Sequence, residues 1–477
     1  MAVFNNNLLA GAGAQSSDSA YKINQSIRIN DDDNAYLSRT LSTASDGGKT
    51  YTFSWWQKFG SKYGAQAMYT IHTDLAGGNN ADYFYFYNDN FQYWSQPTGL
   101  YLRTDREFRD PSAWYHFVFI RDTTQAVASE RLRLYVNGVR VTSFSTESYP
   151  ALNSSGYFNT NTAHYIGGGP GTNKLDAYMA EIHFLDGYAY DPSFFGEFND
   201  SGIWIPKEYT GSYGSNGFKI DGRDASDLGD DESGNGNDFT SNNLGTHDQM
   251  ADSPTNNFAV ANPLHATAYM GSYAFSEGNL QFTFGSSVGG LATIAVTSGK
   301  WYVEWEVHGS ASPAFYLFGI YGDEPVATTR YVGYEANSYG YYAYNGTYWN
   351  NNVGTSYGDS FGPGDIIGMA LDLDNNKLYF SKNGTFQNSG DPTSGSTGTG
   401  AISITSASSV PLGQYFIAGS SGSSAPSNHS ANYNFGQDGT FAGNVTAGGN
   451  SDANGVGNFK YSVPSGYLAL CTKNLGS

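Results

Sequence analysis

Apolar and polar positions alternate along most of this chain in short runs broken by Gly, Asn and Asp. A period of two sends successive side chains to opposite faces of an extended strand, so each run predicts a β-strand. In AWYHFVFIRD (113–122), Trp114, His116, Val118 and Ile120 fall on one face, and Tyr115, Phe117 and Phe119 on the other. KTYTFSWWQKFG (49–60) alternates in the same way, and DYFYFYNDNFQYW (82–94) sets Tyr83, Tyr85 and Tyr87 opposite Phe84 and Phe86. RLRLYVNGVRV (131–141) turns at Asn137-Gly138, and NNKLYFSKNGTF (375–386) turns at Asn383-Gly384. Asn-Gly takes the positive φ angles of a type I′ hairpin turn with little strain. The flanks of the two hairpins do not match, which argues for two domains sharing a physical solution rather than one domain duplicated.

The alternation comes in two blocks and predicts an all-β protein of two antiparallel β-sandwiches. Residues 21–205 form the first block and 265–477 the second. Between them, 206–264 is dense in Gly, Asp and Asn, and reads as an ordered connector with one or two short strands. Residues 1–20 are polar and rich in Gly and Ala, too small to pack alone.

Composition sharpens this picture. Aromatics reach 16% of 477 residues, with 38 Tyr and 30 Phe, so much of the buried area must come from rings rather than Leu, Ile or Met. The net charge of −20 repels phosphate backbones and anionic lipid, so neither nucleic acid nor membrane is expected as a partner. The single Cys471 excludes an intrachain disulfide and a multi-cysteine zinc site. No run approaches the ~20 apolar residues of a membrane span. The start, MAVFNNNLLAGAGAQ, lacks the basic segment of a secretory signal, so synthesis in a cytoplasm without signal-dependent export is expected.

The ordered set YTFSWWQKFG, WYHFVFIRD, LRLYVNGVRV, HYIGGG and DAYMAEIHFLDGYAYD resembles the laminin-G-like, concanavalin-A-type sandwiches. WYVEWEV, FGIYG, GDIIGMALDLDNNKLYFSKNG and the later NYNFGQ resemble a SPRY domain, a bent β-sandwich that serves as a binding platform. An insertion, DGTFAGNVTAGGNSDANGVGN, departs from a compact SPRY ending. The whole chain, from MAVFNNNLLAGAGAQ through SPTNNF to GYLALCTKNL, is similar to virion structural proteins of tailed phages from marine bacteria. That resemblance implies a non-enzymatic surface protein, a tail fibre, spike or capsid fibre, that binds host-surface polysaccharide or another receptor. An architectural decoration or connector protein is the alternative it leaves open. It further implies that residues 1–20 dock on other virion proteins and, by analogy with fibres, a homotrimer, although no coiled coil or collagen-like repeat accompanies it.

Five groups of residues invite chemistry. Glu304 and Glu306 share a strand face as in laminarinase-type glucanases, but no third carboxylate is in register, so a strand with a solvated acidic face is the expected reading and no catalytic residue is assigned. DDESGNGND (230–238) offers oxygens at Asp231, Ser233, Asn235 and Asp238, which reads either as a Ca²⁺ loop or as an Asx-rich turn; no other cofactor is expected. Asp372 and Asp374 read as turn formers. His116 and His183, in aromatic strands, read as packed or hydrogen-bonded. The hairpin SYGYYAYNGTYWNNN (338–352) supplies Tyr341, Tyr342, Tyr344, Tyr348 and Trp349. Aromatic faces with polar tips suit the CH faces and hydroxyls of sugars, and the same rings would equally serve as a cross-strand ladder.

Overall fold

The computed structural model describes residues 21–41, 46–60, 68–73, 81–96, 99–170, 174–264, 274–284, 290–309, 314–323, 330–422 and 429–475. The expected arm at 1–20 and its docking role lie outside these residues. The fold is all-β, and the described chain divides into two compact units between Asn257 and Phe258.

In the first unit, one sheet runs in the order Val139–Arg140, Leu132–Val136, Trp114–Asp122, Thr50–Phe59, Ala177–Asp186, Ser26–Ile29 and Gln249–Met250, with Phe218–Ile220 also paired to Ala177–Asp186. The facing sheet runs Phe144–Glu147, Gly99–Glu107, Asn90–Ser95, Asp82–Tyr87, Met68–Thr73, Ala163–Ile166, Tyr36–Thr40 and Thr240–Asn242. Rings join the two: Trp55 stacks on Phe84 of the facing sheet at 5.7 Å and on Phe117 of its neighbouring strand at 5.2 Å. Phe117 and Phe119 lie in this core, while Val118 and Ile120 pack on the opposite face against Leu185, Phe195 and Tyr209, as the alternation requires.

The stretch read as a connector is not one. Phe218–Ile220, Thr240–Asn242 and Gln249–Met250 complete the first unit's sheets, and Phe218, Ile220, Leu228 and Phe239 belong to its core. Two buried ion pairs fasten its end. Arg28 meets Asp248 at 3.2 Å, and the Lys58 ammonium meets Asp252 at 2.7 Å with both side chains fully buried. Lys58 also donates to Asn257 Oδ1 at 2.7 Å, Trp114 Nε1 donates to Asp252 at 3.0 Å, and the Asn257 amide donates to the Ser112 carbonyl at 2.6 Å. Residues 258–264 belong instead to the second unit, where Phe258 bridges Cys471 and Ala261 bridges Ala292.

The second unit has a nine-stranded sheet whose main path is Ala274–Ser276, Gln281–Phe284, His429–Asn434, Lys300–Gly309, Ile366–Asp372, Lys377–Lys382 and Thr385–Phe386. Against it lies a six-stranded sheet in the order Leu291–Val296, Tyr415–Ser421, Tyr316–Tyr321, Ser338–Tyr342, Thr347–Asn350 and Val353–Ser356. Trp305 stacks on Phe318 at 5.0 Å and so joins the sheets as Trp55 does in the first unit.

The two Asn-Gly turns share more than dihedral angles. Asn137 and Gly138 have φ of 49° and 76°, and Asn383 and Gly384 have 49° and 82°. Each asparagine also bridges to the start of the adjoining strand. Asn137 N donates to the His116 carbonyl while His116 N donates to Asn137 Oδ1, both at 2.8 Å. Asn383 and Ile366 exchange the same two bonds, again at 2.8 Å. A Cβ on either glycine would strike a ring, Trp204 above Gly138 and Tyr461 above Gly384. These hairpins are scaffold.

Removing one partner of a dry ion pair strands the other. Asp252→Ala is expected to cost the first unit about 3–5 kcal/mol, read as a shift of its urea transition followed by tryptophan fluorescence. The double variant Lys58→Met/Asp252→Leu should recover most of the loss. A single variant that unfolds like the wild type would mean the ammonium is solvated.

Candidate functional site

Alternation in the six-stranded sheet separates its rings by face. Phe318 lies opposite Tyr341 and faces the core, so the neighbouring pair Leu317 and Tyr342 faces outward. On that outer face Leu291, Leu317, Tyr321, Val332 and Ala418 form a small buried cluster, over which Tyr331, Tyr342, Trp349 and Phe416 sit half-buried. Tyr331 lies 5.8 Å from Trp349, Trp349 lies 5.9 Å from Tyr342, and Tyr342 lies 6.1 Å from Tyr344. Phe315 stacks on Tyr344 at 5.7 Å, and Tyr334 meets Tyr331 edge-on at 5.3 Å. Tyr344 is 56% exposed. The result is an aromatic strip along one face of the sheet.

The strip is held in place by contacts within its own unit. Trp349 pairs with Gly340, and its ring lies close to Gly354, where a Cβ would come within 3.0 Å of the indole. Its Nε1 donates to Thr347 Oγ1 at 2.9 Å, and that hydroxyl donates to Asn345 Oδ1 at 2.7 Å, which fixes the ring plane. Tyr331 donates to Asn352 Oδ1 at 2.5 Å. Burial, reinforced by Tyr331 and Tyr344, pushes the Tyr342 phenol up to about 12, so it stays neutral near physiological pH.

Of the five hairpin aromatics offered as candidates for glycan binding, three share an outer face: Tyr342, Tyr344 and Trp349. Tyr341 is fully buried, packed on Phe361 at 4.9 Å and Phe380 at 5.3 Å, and its hydroxyl donates to the Asp359 carbonyl. Tyr348 pairs directly with Tyr341 and therefore shares its face, edge-on to Tyr357 at 6.1 Å. Tyr341 serves the core, and Tyr348 stays half-buried beside it. Phe315, Tyr331 and Tyr334 were not expected at the strip; they come from separate segments that the turn residues of the sequence do not link.

Of the two readings of 230–238, the hydrogen bonds fit the Asx turn. Asp231 Oδ1 accepts from Lys219 N and Ser233 N, and its Oδ2 from Ser233 Oγ and Asn237 N, at 2.8–2.9 Å. Asp238 accepts from Asp231 N at 3.1 Å, and the Asn235 amide donates to the carbonyls of Gly214 and Gly217. A carboxylate already facing four donors does not fit a cation, and the set does not converge as a Ca²⁺ cage. Among the described residues, no group of three or more His, Cys, Asp or Glu side chains is placed to hold a metal ion.

Glu304 and Glu306 do not lie on a solvated face. They are 0% and 5% exposed, because the closing segment covers the outer face of the nine-stranded sheet. Glu304 accepts from Lys460 N at 2.8 Å, Tyr461 N at 2.9 Å, Tyr302 OH at 3.1 Å and the Asn434 amide at 3.3 Å. Burial outweighs these donors and raises its carboxyl to about 7. Glu306 accepts from the Asn432 amide at 2.6 Å. Both side chains grip their own polypeptide, which leaves no room for a glycosidic bond between them. Asp372 accepts from Asn375 N at 3.0 Å and pairs with Lys300 at 3.1 Å, while Asp374 accepts from Gly299 N at 2.8 Å, as turn residues do.

The histidines of the first unit are packed and bonded. His116 Nδ1 accepts from Trp204 Nε1 at 2.9 Å, so its proton sits on Nε2, directed at Ser54 Oγ at 2.8 Å. A ring donating to the serine cannot act as its base, and burial pushes His116 down to about 3. His183 bridges Glu181 at 3.1 Å and Tyr213 at 3.0 Å. Glu181 sits at φ 48° where the register of its strand shifts.

Residues 31–189 match the family described as the concanavalin A-like lectin/glucanases superfamily, and 298–402 match the SPRY domain. The chain therefore carries a laminin-G-type, concanavalin A-like domain and a SPRY domain. It is 29% identical over 100 residues to Ran-binding protein 9 of Homo sapiens, a match covering 21% of this chain and 14% of that protein. A match to the dual specificity protein kinase splA of Dictyostelium discoideum is 39% identical over 64 residues, 13% of this chain and 3% of that protein. The chain thus spans only a small fraction of these relatives. Among solved structures, the SPRY domain of human HERC1 aligns over 32% of this chain and 87% of that one at 19% identity and a TM-score of 0.26. A SAP-like pentraxin from Limulus polyphemus aligns over 36% and 80% at 13% identity and a TM-score of 0.26.

Two expectations follow from these side chains. Glu304 in the folded chain keeps its proton to about 7, whereas the unfolded chain releases it near 4.5. The folded state binds more protons in that window, so this group's contribution to stability falls as pH rises through it, by roughly 3 kcal/mol at most. Melting curves between pH 5 and 8 should show this slope in the wild type and a flatter one in Glu304→Gln; equal slopes would refute it. At the Asx turn, Asp231→Ala should lower the melting temperature of the first unit, and millimolar Ca²⁺ should leave the wild type unchanged. A calcium-induced rise abolished by Asp231→Ala would restore the cation site.

Proposed function

We propose that this protein is a non-catalytic binding protein that engages glycan through the aromatic strip of its second unit. The observation that carries this reading is the strip itself: Tyr331, Tyr342, Tyr344 and Trp349, held in place and left half-buried or exposed on the outer face of a sheet. Buried carboxylates bonded to their own backbone and a histidine in the wrong tautomer for base chemistry favour binding over hydrolysis. The two domain types present are of kinds that bind carbohydrates or proteins.

The proposal places the protein on the surface of a virus particle, where it would meet host polysaccharide. Support for that part comes from the order of the two domains and the flanking motifs MAVFNNNLLAGAGAQ and GYLALCTKNL.

A glycan array and a host-cell retention assay with the purified chain test the binding reading. Each aromatic removed from a stacking platform is expected to weaken retention about tenfold or more, so Trp349→Ala and Tyr344→Ala should both lose it while keeping wild-type circular dichroism. Retention that survives both substitutions would move the site elsewhere. Labelling the protein on particles by electron microscopy tests its placement.

A further inference from the structure

The charges around the same strip bear on which glycan it would take, an inference that rests on the glycan reading above. Residues 314–323 and 330–361, which build it, carry one cation, Arg330, against Asp323, Glu335 and Asp359. That cation is engaged: its guanidinium meets Glu335 at 2.9 Å and lies 4.3 Å over the Tyr334 ring. A uronate or sulfate group arriving at the rings would find no unpaired positive charge from these segments, and would approach a chain of net charge −20. Like-signed fields lower the encounter rate and the affinity together.

What the strip offers instead is uncharged. Its ring faces are apolar, the Trp349 N–H is already taken by Thr347, and among the described residues the hydroxyls of Tyr342 and Tyr344 have no hydrogen-bond partner. A phenol held neutral both donates and accepts, which matches a sugar hydroxyl and gives a carboxylate no advantage. Successive ring centroids lie 5.8, 5.9 and 6.1 Å apart, with Trp349 edge-on to both Tyr331 and Tyr342, so the aromatic surface is wider than any one ring. We infer that the strip takes an uncharged glycan chain laid across several rings, without a bridging metal ion, and that it rejects polyanionic glycans.

Affinity electrophoresis of the full chain tests this. Gels would contain a neutral glucan, galactan or mannan in one series and a uronate-rich or sulfated polysaccharide in the other, each with and without EDTA. The expected result is retardation in at least one neutral gel, indifferent to EDTA and to added salt, and lost in Trp349→Ala and Tyr344→Ala. Retardation in a polyanionic gel that Trp349→Ala abolishes, or retardation that EDTA removes, would overturn the charge inference and leave the glycan reading standing. No retardation in any gel, or retardation that both variants retain, would overturn the two together.

Discussion

A polar, turn-rich segment has little apolar surface with which to hold itself against a sandwich, and in both units a buried carboxylate provides the attachment. In the first, Asp252 gathers the Lys58 ammonium and the Trp114 indole, and so draws 252–257 onto the sheet. In the second, Glu304 projects from a central strand and collects two consecutive backbone N–H groups, those of Lys460 and Tyr461. Asp452 repeats the device within the closing segment, accepting from the N–H groups of Asn454, Val456 and Ala469. A dry carboxylate is costly when alone and firmly held when every lone pair is met, so such contacts favour one conformation over all neighbours.

Rings and aliphatic side chains share the main core of the first unit about equally, and rings make the contacts that join its sheets. Trp55 and Trp305 occupy equivalent roles in unrelated sandwiches, each joining its two sheets by stacking. The same use of rings creates the outer strip. A strand rich in tyrosine places rings on both faces, and whichever face is left uncovered becomes a platform. In the hairpin 338–350, Tyr341 and Tyr348 went inward, while Tyr342 and Trp349 remained outside.

The faces of single strands were legible because period two is a local property: Phe117 and Phe119 against Val118 and Ile120 follow from alternation alone. So did both Asn-Gly turns. What covers a face is not local. Glu304 reads as solvated until the segment around Lys460 and Tyr461 is laid over it, more than a hundred residues later in the chain. The stretch 206–257 hides its pairing because its strands are only two or three residues long and its hold depends on Lys58 and Arg28, far upstream. The two readings of Asp231 stayed open in the sequence for a related reason. Oxygen-rich turns and cation loops share a composition, and only the direction of the N–H groups tells them apart.

The paired hydrogen bonds that tie the Asn137-Gly138 and Asn383-Gly384 turns to their adjoining strands bear on chemical durability. An asparagine before glycine ages by closing its side-chain carbonyl carbon onto the following backbone nitrogen, which requires the amide to swing freely. Asn137 is restrained by the His116 N–H, and Asn383 both by the Ile366 N–H and by its own amide bond to Asp365. Asn345, at the tip of the aromatic hairpin, is held only by its near neighbours Thr347 N and Oγ1, on exposed chain. Of these three turns, deamidation would therefore begin at the hairpin that carries the outer aromatic strip, and a preparation would alter the strip before it lost its fold.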